Sequence, residues 1–145
     1  MTTAPNQPTP VLVDTDVFSW VFVGPRRTPN AQRWANALTG RTLTVVVQTD
    51  VELRAWPLLK NWSEKKAQDL DAKLATVGTI QVSLEVQRQF IDLTVWARRH
   101  GHAIQDKVHT ADRWIAATAL AYGLELASGD GIYHGVDGLR RVTTS

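Results

Sequence analysis

Short apolar runs, each followed at once by a helix signal, recur along the chain and constrain its fold more than any other feature. Val11-Leu12-Val13 stops at Asp14, and residues 42–48 carry the unbroken run Val45-Val46-Val47. Runs apolar on every residue suit strands covered on both faces, as in a parallel sheet. Residues 79–82 and 124–127 are further strand segments, with another at 140–143. Between them lie helices. Residues 17–23 are too densely apolar for a loop. Thr28 with Pro29 reads as an N-cap and first helical residue, with Ala31, Trp34, Ala35 and Leu38 on one face and Gly40 as the stop. Thr49 and Glu52 have capping-box spacing, which predicts a helix whose inner face is Val51, Ala55, Leu58 and Leu59 and which Pro57 should kink or interrupt. Ser63 caps a helix with Ala67, Leu70, Leu74 and Val77 inward. Ser83 caps another, with Val86, Phe90, Leu93 and Ala97 on its stripe and Gly101 near its end. Thr110 opens the last, through Ile115, Ala116 and Ala119 to Gly123. This alternation predicts an α/β sandwich around a mostly parallel sheet.

The 145 residues suffice for one domain with its own core. The absence of cysteine excludes a disulfide framework, a thiolate metal site and a Cys nucleophile. Residues 1–10 have neither the positive charge nor the apolar stretch of a signal peptide and read as a disordered tail before a domain spanning 11–145. With no apolar run of bilayer length, a cytoplasmic location is expected. A net charge of +2 permits a nucleic-acid partner without identifying one.

The acids are the informative residues. Asp14 and Asp16 stand at the carboxyl end of a buried strand, where open α/β sheets form their ligand sites. Either could cap the next helix, and Asp16 is the stronger candidate, because every neighbour of Asp14 on the strand side is apolar. Asp112 heads the inward stripe of the last helix, where an acid is costly unless paired or metal-bound; it could instead complement the helix dipole. Glu52 could be consumed by its capping box, and Asp130 in Ser128-Gly129-Asp130-Gly131 could belong to a turn. Oxygen ligands without Cys or an obvious His pair select Mg²⁺, or Mn²⁺ in its place, over zinc. His100, His102, His109 and His134 read as surface. Of the six Trp, most should be core or interface, although an exposed one could stack a base.

The order of these acids resembles the PIN-domain ribonucleases, specifically the VapC-type toxins. Leu12-Val13-Asp14-Thr15-Asp16-Val17-Phe18-Ser19 is similar to the first motif, Thr49-Asp50-Val51-Glu52-Leu53-Arg54 to the second, and Asp112-Arg113-Trp114-Ile115-Ala116-Ala117 with Tyr122-Gly123-Leu124 to the third. The resemblance implies a three-layer PIN-like sandwich with catalytic acids Asp14, Glu52, Asp112 and Asp130. Asp14 and Asp112 would hold the metal, with Thr15, Asp16 and Ser19 in support. It implies Mg²⁺-dependent cleavage of RNA, a homodimer, and inhibition by a small antitoxin protein that covers the active-site groove. Arg54 and Arg113, close in sequence to proposed ligands, are the expected substrate contacts. Two places depart from the family pattern: Asp16 stands where Asn is common, and the fourth motif reads Ser128-Gly129-Asp130, with Gly129 in place of a polar residue and its aromatic, Tyr133, further on.

Two other readings stand beside this one. Asp14-Thr15-Asp16 after an apolar strand mimics the first motif of haloacid-dehalogenase-like phosphatases, in which Asp14 would be the nucleophile and Asp16 a general acid. Phe18 and the lack of a later Lys motif argue against it. A non-catalytic PIN-like RNA-binding domain would be expected to have lost several acids, and none of the four is missing.

Overall fold

A computed structural model describes residues 9–25 and 27–144. The expected disordered tail lies outside these residues up to position 8. Thr9 already belongs to the folded body, its carbonyl accepting from Arg41 Nη2 at 2.9 Å.

Four parallel strands form one sheet in the order β3-β2-β1-β4: β1 (Val11–Val13), β2 (Leu43–Val46), β3 (Gly78–Ile80) and β4 (Glu125–Ala127). β1 is flanked on both sides, so Val11, Leu12 and Val13 are all buried, as an unbroken apolar run requires. The segment at 140–143, expected to be a strand, makes only a single bridge from Arg141 to Leu126.

The helices are α1 (Thr15–Phe22), α2 (Pro29–Leu38), α3 (Val47–Leu59), α4 (Glu64–Leu74), α5 (Leu84–His100) and α6 (Thr110–Tyr122). Two cores lie on the two sheet faces. Val11 and Val13 point into one with Phe18, Trp34, Leu53 and Leu74 from α1 to α4. Leu12 points into the other with Leu93, Ala97, Ala116 and Ala119 from α5 and α6. The result is the expected three-layer sandwich. Thr28, Ser63 and Ser83 cap as their spacing predicts, and Gly101 and Gly123 end α5 and α6 in the left-handed conformation that glycine adopts without strain.

α3 departs from its sequence reading. It starts at Val47, directly off β2, with no side-chain cap, so Thr49 lies inside its first turn and no capping box forms. Its buried positions are Thr49 and Leu53, while Val51, Leu58 and Leu59 are 60%, 83% and 75% exposed, the reverse of the expected face. Pro57 does not end the helix, which runs to Leu59. In the last turn Lys60 N–H bonds the Trp56 carbonyl at 2.8 Å and Trp62 N–H bonds that of Pro57 at 3.0 Å.

Candidate active site

The chain leaves β1 for β2 on one side and returns to pair β4 on the other, so the strand order switches beside β1. At the carboxyl end of such a switch the connections diverge and leave a crevice. Here it is a cavity of about 200 Å³ lined by all four predicted acids, Asp14, Glu52, Asp112 and Asp130. They come from four separate segments: the end of β1, α3, the first turn of α6 and the loop after β4.

β1 ends at Val13 and α1 begins at Thr15, which makes Asp14, not Asp16, the helix cap. Its Oδ1 accepts from the Val17 N–H at 2.8 Å. Asp14 is only 7% exposed, and burial pushes its carboxyl up to about 6. The charges of Asp16 and Asp130 act in the same direction, against hydrogen bonds from Ser128 and Val17. Asp16 is exposed at the cavity edge.

Freed from capping, Glu52 is held by Thr15, whose Oγ1 donates to Oε2 at 3.3 Å. Thr15 Oγ1 also meets Thr49 Oγ1 at 3.0 Å. A carboxylate only accepts, and Thr15 has one proton to give, so the chain of bonds runs from Thr49 to Thr15 to Glu52.

Asp112 has a partner on each oxygen: His109 Nδ1–H donates to Oδ2 at 3.0 Å and the Tyr133 hydroxyl to Oδ1 at 3.3 Å. Burial first, then the negative charges of Asp112 and Asp14, raise the Tyr133 pKa, so the phenol stays a donor. Asp130 accepts from the Ile132 N–H at 3.0 Å, capping the short turn Gly131–Tyr133 that sends Tyr133 back to the site. Arg141 fixes this loop through the carbonyls of Ser128 and Asp130. Gly129 fits the loop because a Cβ there would lie 3.2 Å from ring carbons of Trp20.

The two expected substrate arginines lie outside the cavity. Arg54 clasps α3 to α4, its Nε 3.1 Å from Asp50 and its Nη1 3.2 Å from Asp71, with its side chain 44% exposed. Arg113 is buried; its guanidinium donates to the Gln105 carbonyl and to Thr110 Oγ1, pinning the loop before α6. Thr15 lines the cavity but Ser19, one helical turn on, does not. Sequence reasoning gave Thr49 only a capping role, His109 only a surface one and Tyr133 only a place after the fourth motif; the i,i+3 spacing of His109 to Asp112 and of Asp130 to Tyr133 is the signal for the last two.

Among the described residues no three His, Asp or Glu side chains form a ready ligand set for an ion. Mg²⁺ seldom uses one: it commonly takes one or two carboxylates and completes its shell with water and substrate phosphate. Asp14 and Asp112 fit that role. Asp14 is an oxygen donor whose carboxyl is pushed up first by burial and only secondarily by Asp16 and Asp130, so positive charge beside it would favour its ionised form. No helix among the described residues is long and apolar enough to cross a membrane.

Comparison with curated proteins gave no match. The fold is similar to a chain of VapBC2 from Rickettsia felis bound to a fragment of its promoter DNA, with TM-score 0.71 and 15% identity over 94% of this chain and 99% of that one. It is similar to FitAcB from Neisseria gonorrhoeae, with TM-score 0.68 and 23% identity over 92% and 96%. It is also similar to VapC20 of Mycobacterium tuberculosis, a sarcin–ricin loop cleaving toxin, with TM-score 0.54 and 17% identity over 90% and 98%. At these identities the likeness is one of fold. The PIN domain family model matches residues 11–139, from the first residue of β1 to just short of the segment that bridges back to β4; the chain belongs to the PIN domain family.

Proposed function

We propose that this chain is the toxin of a VapC-type toxin–antitoxin pair, a Mg²⁺-dependent endoribonuclease that hydrolyses phosphodiester bonds in a structured RNA such as tRNA or rRNA. In this reading it acts as a homodimer, is restrained by a small antitoxin protein, and accepts Mn²⁺ in place of Mg²⁺. One observation carries the reading: four acids from four distant segments line a single crevice at the strand-order switch. The VapBC likeness supports the toxin–antitoxin part, since VapBC is a family of toxin–antitoxin systems, and VapC20 the choice of RNA.

Asp14 and Asp112 would hold the ion, which when bound supplies positive charge beside the phosphate and a more acidic water. The protein's own groups set the rest. His109 and Tyr133 fix the Asp112 carboxylate, and Thr15 fixes Glu52 through Oε2, leaving Oε1 with no side-chain or backbone donor among the described residues and available to take a proton. A cavity of about 200 Å³ is smaller than the ~300–1,000 Å³ usual for enclosed small ligands, which suits one phosphate of a longer strand. The phosphatase reading fits less well, because Asp14 is largely buried and one of its oxygens caps α1.

The purified chain should cleave RNA with Mg²⁺ and stop with chelator, and Asp112→Asn should lower the rate by roughly 100-fold or more. Undiminished cleavage in excess chelator would overturn the metal role. Metal-dependent RNA binding without cleavage would favour the non-catalytic reading.

A further inference from the structure

We propose that the indole of Trp114 is the platform on which an RNA base next to the scissile phosphate stacks; this rests on the nuclease reading above. The cavity lining is chemically mixed. Asp14, Asp16, Glu52, Asp112 and Asp130 supply acid, while Ala111, Trp114 and Ile115, at i, i+3 and i+4 on the first turns of α6, add apolar surface. Phosphate chemistry needs the acids only. Apolar lining in the same cavity suits the one part of a nucleotide that is flat and poorly hydrated, the base.

Trp114 is only half-buried and lines the cavity, and it follows Asp112 by two residues on the same helix. A base held there is bound to the element that carries a proposed ligand. The ring is also braced. It stacks on Phe90 of α5 with centroids 3.8 Å apart and planes inclined by 20°. Phe90 in turn lies 5.0 Å from the guanidinium of Arg113, which is itself pinned by Gln105 and Thr110. A platform already fixed loses little conformational freedom when a base lands on it. Stacking on an aromatic ring is tolerant of base identity, so Trp114 would place the strand and leave sequence choice to other contacts.

The experiment uses the full chain carrying Glu52→Gln, with Mg²⁺ present, so that binding is read without cleavage. Short single-stranded RNA oligonucleotides with a fluorescent label are tested intact and with an abasic nucleotide at each position in turn. Trp114→Leu should weaken binding of the intact strand by roughly five- to hundredfold, from about 1–3 kcal/mol per stacked base. Trp114→Phe should retain most of the affinity. One abasic position should weaken the Trp114 protein by a similar factor and the Leu variant no further, because the same contact is lost only once. Melting temperatures are measured in parallel. A wedge that merely fills the space between α5 and α6 would shift melting without coupling to any base. Equal affinity of the Leu variant, or no abasic position that matters in the Trp114 protein, overturns the platform. The abasic scan needs no substitution at 114, so it decides even if leucine prevents folding. If the chain neither binds nor cleaves any RNA, it is the nuclease reading that fails.

Discussion

Asp14 shows how one residue can hold two roles. As the cap of α1 it needs an acceptor oxygen, which Asn supplies as well as Asp. As a buried acid beside Asp16 and Asp130 it carries a charge that its surroundings resist. Its pKa rises from the ordinary 3.8 to about 6, which corresponds to roughly 3 kcal/mol of favourable protonation in the folded state. Between those two values the folded chain binds more protons than the unfolded one, so stability falls as pH rises. The margin is full below 3.8 and gone above about 6. In chelator, Asp14→Asn should therefore melt at or above the wild-type temperature at pH 7 and show a flatter decline between pH 4 and 7. Thermal melts across that range check this; an Asn variant with the wild-type slope, or one melting well below wild type at pH 7, sinks it. The sequence made Asp14 legible as a site acid, because a carboxylate after an unbroken apolar run has few other reasons to be there. Which acid caps the helix was not legible, because that depends on where α1 begins, and its apolar signal in the sequence starts only at Val17 while the helix starts at Thr15.

A boundary shift also governs α3, whose N-cap is Val46, three residues before the Thr49 that the capping box implies. Read as a capping box, Thr49 and Glu52 belong to the helix start and nothing else. With β2 running straight into α3 at Val47, both are shifted inside the helix, and Thr49 turns inward to meet Thr15 of α1. The spacing was a true regularity attached to the wrong helix boundary. The inner face was rotated with it, so Val51, Leu58 and Leu59 came out exposed. Elements bounded by Ser63, Ser83, Gly101 and Gly123 were legible, because their caps act locally and no neighbouring strand competes for them. Thr15 and Thr49 therefore should be coupled although they sit on different helices. Thr15→Val and Thr49→Val should each slow RNA cleavage about tenfold, as loss of a group that orients a catalytic carboxylate does. The double variant should be little worse than either, and a stability cycle should show a coupling of ~0.5–1.5 kcal/mol. Strictly additive losses would mean that the two threonines serve their own helices and that the bond between them does not position Glu52.

For the whole molecule, the surface that remains once the sandwich is built is uneven. Val51 and Leu58, two helical turns apart, form an exposed apolar stripe on α3, with Leu59 beside them. Leu84, Ile91 and Val95 form another on α5, at 55%, 60% and 41% exposure. Single exposed apolar residues need no explanation, but stripes at helical spacing leave contiguous area in water. The proposed homodimer would cover such area, since a two-fold axis brings the same stripes of two copies together. A net charge of only +2 opposes that little. The chain should sediment as a dimer at micromolar concentration. Leu58→Lys combined with Ile91→Lys should shift it to monomer with its helix content unchanged, because both side chains already stand in water and contribute little to the fold of one copy. A wild-type chain that stays monomeric at tens of micromolar, or a double variant that still dimerises, would remove the apolar stripes as the seat of self-association and with them the structural support for a homodimer.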